Sequence, residues 1–182
     1  MPRRAGCYPP QLDSRGMNLV EAAAKADELA QSGAERELAT LRQQWDDEVE
    51  SAARSADYRE RAAAYRAVGQ FRFRQKLELL RRGLEDESPA VRGAALVSIQ
   101  LLSRGNPGVV NQIRPLLHTM ASSDPNGAVR RLAIACLRNG SPQRETVVLL
   151  NGLADNDDLD AELRKTARAV AVDLRKRAGA RL

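Results

Sequence analysis

The sequence is poor in the residues that mark β-rich and membrane proteins. Aromatic residues make up only 3% of the 182-residue chain, and glycine (12) and proline (8) are too few for a loop-rich β fold. No run of about 18 apolar residues occurs, so the sequence predicts no membrane-spanning helix. Because hydrophobic residues still account for 43% and alanine is abundant, the composition excludes wholesale disorder and favours a soluble helical protein.

Cysteine and targeting signals are also scarce. The two cysteines, Cys7 and Cys136, lie far apart and form no C-x-x-C motif, so we expect no disulfide framework and a cytoplasmic location. Cys136 lies in an apolar run, which favours a buried structural thiol over a nucleophile. Residues 1–16 lack hydrophobic periodicity, and no apolar stretch follows their paired arginines. We therefore predict a disordered N-terminal tail and no signal peptide.

From residue 17 onward, apolar residues recur at helical spacing between frequent start and stop signals. The stripe from Leu38 to Val49 is one example, and the Ser-Pro pairs at 88–89 and 141–142 are typical of helix starts. The pattern predicts a single all-α domain over 17–182. We expect an N-terminal helix over 19–31 and four helix pairs over about 35–69, 71–104, 108–139 and 142–178. The second pair is expected to open with a helix from Phe71 to Arg82.

Three segments repeat the same order of an acidic residue, a turn, an aliphatic residue and an arginine. A spacing of six separates Asp86 from Arg92, Asp124 from Arg130, and Asp158 from Arg164. A degenerate earlier copy ends at Arg61. Helix pairs that recur at such a period are typical of solenoid proteins, in which neighbouring repeats bury a continuous core.

These segments resemble HEAT repeats, including the shorter HEAT-like repeats of the phycobilin-lyase type, over about residues 35–178. The resemblance implies an α-solenoid of about four helix pairs in which the second helix of each pair lines one surface. It also implies that aspartate and arginine side chains of neighbouring repeats bond to one another as a ladder. We expect the N-terminal helix to cap the open end of the stack.

No pattern in the sequence points to catalysis, a metal or a cofactor. His118 is the only histidine and has no partners at zinc-site spacing, so we expect a packing or surface role. The acidic run 155–160 fails the spacing of a calcium loop and is better explained as capping of a helix start. We therefore expect no metal, no cofactor and no enzymatic activity.

Two basic blocks, residues 59–82 and 164–182, lie in an otherwise acidic chain whose net charge is +5. Besides Arg66, the first block contains Arg59, Arg61, Arg72, Arg74, Lys76, Arg81 and Arg82. Tyr58, Tyr65, Phe71 and Phe73 interleave with these cations. Arginine mixed with aromatic residues suits phosphate contacts and base stacking. The same spacing also fits a solvated helix face whose aromatic residues are directed into the core.

Aligning the second helices on their repeat arginines predicts a row of positions on one helix face. The polar members of this row are Arg66, Gln100, Arg131, Arg138, Lys165 and Lys176. We expect the row to line the inner solenoid surface and to bind a protein partner with an acidic patch, as a non-catalytic scaffold would. Two alternatives stay open. One is nucleic-acid binding through blocks 59–82 and 164–182, and the other is an accessory subunit of a phycobilin-lyase-type enzyme.

Overall fold

The computed structural model describes residues 16–179, and all regular secondary structure in that range is helical. The helices are α1 (Leu19–Ser32), α2 (Glu35–Ala52), α3 (Tyr58–Gln70), α4 (Leu77–Leu84), α5 (Pro89–Leu102), α6 (Pro107–Ser123), α7 (Gly127–Leu137), α8 (Arg144–Ala154) and α9 (Ala161–Gly179). The prediction of an all-α, solenoid-like fold is confirmed. None of these helices has the length and apolar character needed to cross a membrane. Apart from Gly16, the predicted disordered tail lies outside the described residues, and so does Cys7.

The helices pack in pairs, and the pairs stack in chain order. Helix α4 packs on α5, α6 on α7, and α8 on α9, while α1 and α2 pack on each other and on α3. The backbones of the second helices (α3, α5, α7 and α9) each approach the next one in order, whereas successive first helices (α2, α4, α6 and α8) meet mainly through side chains. The second helices therefore form the continuous spine of the stack, and their remaining face is one long surface.

Several helices begin where capping chemistry predicts. Asn18 and Glu21 form a reciprocal capping box at α1, with both hydrogen bonds at 3.0 Å. The Asp57 carboxylate accepts from the backbone N–H of Arg59 at 2.8 Å, and α5 and α6 carry proline in their first turn. These local signals set the spacing of the helices and hence the repeat length.

The predicted helix from Phe71 to Arg82 is wrong in its first half, because α4 begins only at Leu77. Residues 71–76 instead close α3 in a Schellman motif: Phe73 N–H donates to the Val68 carbonyl (3.0 Å) and Arg72 N–H to that of Gly69 (3.1 Å). Arg72 occupies the left-handed position of this motif with φ 57°, where glycine is usual. The glycine that usually marks this motif is therefore absent from the sequence, and the buried residues Phe71 and Phe73 resembled the start of a helix.

The core runs along the spine and is closest-packed where α3 meets α5. The largest fully buried side chains are Trp45, Phe71, Phe73, Leu38, Leu80, Leu96, Ile99, Ile113, Leu117, Ile134, Leu137 and Leu150. At the α3–α5 crossing, the Ser98 hydroxyl accepts from Gly69 N–H (2.9 Å) and donates to the Tyr65 carbonyl (2.5 Å). A Cβ atom at Gly69 would lie 2.6 Å from the Ser98 Cα atom. Only glycine therefore allows this approach.

Cys136 is expected to resist thiol reagents as long as the protein is folded. Its side chain is buried in α7, its Sγ lies 3.3 Å from the Leu96 carbonyl, and burial raises the pKa of the thiol to about 12. Because the thiolate is the reactive form, a Cys7→Ser variant should show almost no labelling by a maleimide or disulfide reagent at pH 8. In denaturant, one thiol per chain should react within minutes. Rapid labelling of the native variant would contradict this burial.

Candidate functional site

Arginine–aspartate pairs connect successive repeats. Arg61 in α3 donates from Nε and Nη2 to both carboxylate oxygens of Asp86, at 2.8 and 2.9 Å. Arg92 in α5 makes the same forked contact with Asp124, again at 2.8 and 2.9 Å. Such forks are the strongest geometry available to an arginine–carboxylate pair. Arg61 therefore belongs to the ladder, although in the sequence it also falls within the basic block 59–82.

Each ladder arginine also holds the loop of its own repeat. Nη1 of Arg92 donates to the carbonyls of Asp86 (2.9 Å) and Glu87 (3.1 Å). Nη1 of Arg61 donates to those of Ser55 and Ala56, both at 3.1 Å. Because Asp86 accepts from Arg61 through its side chain and from Arg92 through its backbone, the contacts run continuously from α3 to the loop before α7.

The predicted ladder position of Asp158 and Arg164 is wrong. In the earlier loops the aspartate side chain accepts from the backbone N–H two residues later, as Asp124 does from Asn126 (2.8 Å). In the last loop Asn156 takes this place and accepts from the N–H of Asp158 (3.0 Å). Asn156 carries no charge, so Arg130 donates to the Ala121 carbonyl instead (3.0 Å), and Arg164 pairs with Asp157 at the surface. A spacing of eight, rather than six, separates Asn156 from Arg164, so the six-residue spacing selects Asp158 instead of the equivalent residue.

The basic block 59–82 does not form one surface. Lys76 is buried, with its Nζ 2.9 Å from a Glu50 carboxylate oxygen and 3.2 Å from one of Asp46, and the hydrogen bond from Lys76 lowers the pKa of Glu50. Arg72 donates to Asp27 at 2.8 Å. Together with Arg61, three of the eight cations are therefore held in buried or half-buried ion pairs. The exposed members are Arg59, Arg66, Arg74, Arg81 and Arg82, and Arg81 lies 3.8 Å from Glu78.

The aromatic residues of this block are mostly inaccessible. Tyr65, Phe71 and Phe73 are buried, and the two phenylalanine rings pack with their centroids 5.3 Å apart. Tyr58 alone is exposed, with the Arg59 guanidinium carbon 5.7 Å from its ring centroid. Stacking of successive bases needs several exposed rings, which residues 16–179 do not present in this block.

The predicted row on the second helices is largely open to solvent. Its exposed members are Arg66, Arg138, Lys165 and Lys176, whereas Gln100 and Arg131 are half-buried. Arg131 lies 3.5 Å from Asp160 at the start of α9. The same register places Gly69 in the row, but Gly69 is buried against Ser98, so the row ends early on α3.

One cation beside the row was missed by the sequence analysis. Arg168 is exposed on α9, three residues after Lys165, and both line an open groove of about 610 Å³ together with Ala169 and Val172. The helical spacing i, i+3 from Lys165 was the available signal. A register counted from the repeat arginines does not include this position.

Charge is divided unequally between the two helix sets. The second helices (α3, α5, α7 and α9) carry twelve lysines and arginines against three acidic residues. The first helices (α2, α4, α6 and α8) carry eight acidic residues against six lysines and arginines. Helices α5 and α7 contain no acidic residue at all. The second helices therefore carry an excess of basic residues, part of which pairs with aspartates of the adjoining loops.

His118 takes part in the contact between α6 and α8. Its Nε2 lies 2.9 Å from the Thr146 hydroxyl, which also accepts from Nη1 of the buried Arg114 (2.9 Å). Nη2 of Arg114 donates to Asn111 and to the Ser141 carbonyl. Burial lowers the pKa of His118, the charge of Arg114 lowers it further, and Glu145 opposes this effect.

The free energy of unfolding is expected to fall as the pH drops from about 7 to about 5.5. Because the native pKa of His118 lies below its ordinary value of 6.5, the unfolded chain binds a proton in this window that the native protein does not. The slope stays below about 1.4 kcal/mol per pH unit, the limit for one proton. His118→Gln, which cannot titrate, should flatten this part of the profile in urea unfolding. Equal slopes for both proteins would contradict the assignment.

The acidic run 155–160 serves local structure. The Asp160 carboxylate accepts from the Leu163 N–H at 3.0 Å and so caps α9, while Asp155 lies 3.4 Å from Arg168. Across the described part of the chain, no three histidine, cysteine or acidic side chains come together in a way that could hold a metal ion.

Comparison with known proteins identifies the repeats. Residues 47–119 match a family model described as HEAT repeats, and this segment includes Arg61, Asp86 and Arg92 of the ladder. Searches of curated proteins and of solved structures found no match. The matched segment extends from within α2 to within α6 and so covers two stacked repeats. Residues 47–119 are therefore similar to HEAT repeats.

Proposed function

We propose that this protein is a non-catalytic scaffold that binds an acidic protein partner through its second-helix face. The observation that carries the proposal is the division of charge, with twelve basic and three acidic residues on the second helices. A helical surface with an excess of one sign attracts a partner of the opposite sign and orients it during encounter. Solenoids characteristically bind through extended surfaces of this kind.

The C-terminal half of this face is the expected centre of binding. Arg138, Lys165, Arg168 and Lys176 are exposed there. The only acidic residues in α7 and α9 are Glu162 and Asp173. Toward α3 the face is less basic, because Arg61 and Arg92 are occupied in the ladder. An acidic partner therefore gains most from contacts along α7 and α9.

Two observations favour a protein over a nucleic acid as the partner. Three cations of block 59–82 are held in internal ion pairs, and three of its four aromatic rings are buried. A nucleic acid would therefore have to bind through its phosphate backbone along α9 alone. The accessory role beside a phycobilin-lyase-type enzyme stays a prediction.

The test is capture from a native lysate with matched charge-reversal variants. Arg131→Glu/Arg138→Glu alters the row, and Arg36→Glu/Arg144→Glu reverses two exposed arginines on the first helices. We expect the row variant to capture at least about tenfold less of a partner protein than the wild type does, because like charges then face an acidic patch. The control variant should retain that protein.

The lysate is divided into untreated and nuclease-treated halves, and bound proteins are eluted in steps of salt. A protein that survives nuclease, depends on the row and elutes with rising salt supports the proposal. If nuclease treatment abolishes capture, the result supports nucleic-acid binding instead. Equal loss in both charge-reversal variants contradicts a specific role of the second-helix face.

A further inference from the structure

A polar cleft lies where the end of α1 and the start of α2 meet the turn between α3 and α4. Its volume is about 490 Å³, and it is lined by Ala30, Glu35, Arg42, Arg72, Arg74 and Gln75. Three arginines from two separate parts of the chain converge on this concavity, which shares no residue with the row. We propose that this arginine cleft binds a phosphoryl dianion, either as inorganic phosphate or as a phosphate monoester on a peptide.

Two of the three guanidiniums are held in place by the fold itself. Arg42 Nε donates to the Phe71 carbonyl and Arg72 Nη1 to the Gly69 carbonyl, both at 2.6 Å. Arg72 Nη2 donates to Asp27 at 2.8 Å. The backbone of Arg72 is left-handed, with φ 57°, and is held by the Schellman hydrogen bonds that close α3. Because these two guanidinium groups are already fixed in the free protein, binding an anion costs little side-chain entropy.

Positive charge in the cleft exceeds the negative charge that lines it. Asp27 is engaged by Arg72, and the side chain of Glu35 is 72% exposed with its Oε2 3.8 Å from Arg42 Nη1. Arg74 is exposed and forms no ion pair with any residue in the range 16–179. Burial lowers the pKa of Arg42, and the charges of Arg74 and Arg72 lower it further against the effect of Glu35. An anion between these guanidiniums would relieve their repulsion.

The arrangement suits a phosphoryl group better than a single carboxylate. A phosphate monoester carries close to two negative charges and three terminal oxygens, which can accept from several planar guanidinium groups at once. The cleft also borders the N-terminus of α2, where Ala34 provides no side-chain oxygen to cap the first turn. The positive end of this 18-residue helix adds to the attraction for an anion.

The test is calorimetric titration of the full chain at constant ionic strength. The probes are inorganic phosphate, a short phosphoserine peptide and the same peptide without phosphate. We expect the first two to bind and the third not to bind. Arg74→Gln should weaken both phosphate ligands at least about tenfold, because it removes a charged donor. Glu35→Gln should strengthen them about threefold, because it removes the competing carboxylate.

Arg104→Gln is the matched control, since Arg104 is an exposed arginine outside the cleft. It should leave both affinities unchanged. A peptide that binds more than tenfold tighter than inorganic phosphate assigns the cleft to phosphorylated protein segments, whereas similar affinities assign it to free phosphate. The proposal is overturned if neither phosphate ligand binds, if the unphosphorylated peptide binds equally well, or if Arg74→Gln and Arg104→Gln have the same effect.

Discussion

Arg92→Ala is expected to lower the free energy of unfolding by about 3–5 kcal/mol, the range for breaking a buried ion pair by removing one partner. The side chains of Arg92 and Asp124 are 11% and 5% exposed, so the substitution leaves a carboxylate with little access to water. It also removes the donor for the carbonyls of Asp86 and Glu87, which fixes the loop before α5. The lost ion pair and the lost hydrogen bonds both weaken the connection between neighbouring repeats.

The measurement is urea unfolding followed by far-UV circular dichroism, with Arg164→Ala as the control. Arg164 has the equivalent place in the last repeat, but its partner Asp157 is 93% exposed, so its loss should cost less than about 1 kcal/mol. The double variant Arg92→Ala/Asp124→Ala should recover part of the loss, because no buried charge then lacks a partner. Equal effects of Arg92→Ala and Arg164→Ala would contradict a stabilising role of the ladder.

The resemblance to HEAT repeats implied that aspartate and arginine link neighbouring repeats, and the spacing located the loop and the helix start of each copy. The spacing could not predict the partners in the last repeat. There the substitution of Asn156 for an aspartate and two additional residues between it and Arg164 change the hydrogen bonds, although Asp158 and Arg164 keep the six-residue spacing. Spacing along the chain reports the period of a repeat, whereas an ion pair depends on which side chain turns toward the next loop.

The exposure of the charged residues could be predicted only where it follows from the helical register. Arg138, just after the end of α7, and Lys165 and Lys176 on α9 are exposed, whereas Arg131 on α7 is half-buried. In block 59–82, by contrast, the partners of the cations lie on other elements: Lys76 reaches α2, and Arg72 reaches α1. The arginine cleft escaped the sequence analysis for the same reason, because Arg42 is 30 residues from Arg72.

Gly69→Ala is expected to destabilise the protein by about 2–4 kcal/mol through overpacking of the α3–α5 crossing and loss of a hydrogen bond. The added Cβ would lie 2.6 Å from the Ser98 Cα, which is backbone and cannot move aside as a flexible side chain could. Separating the helices to relieve this contact also stretches the bond from Gly69 N–H to the Ser98 hydroxyl. The cost should appear as a lower urea midpoint with an unchanged m-value.

Gly152→Ala is the matched control, since it makes the same chemical change within α8, where a Cβ meets no atom within 4 Å. Alanine is the better helix former, so this variant should gain about 0.5–1 kcal/mol. The two substitutions therefore have opposite expected signs, which separates helix propensity from packing at the crossing. A stabilising effect of Gly69→Ala would mean that α3 and α5 lie further apart than described. The ladder from Arg61 to Asp86, which bridges the same pair of repeats, would then have to span that greater distance.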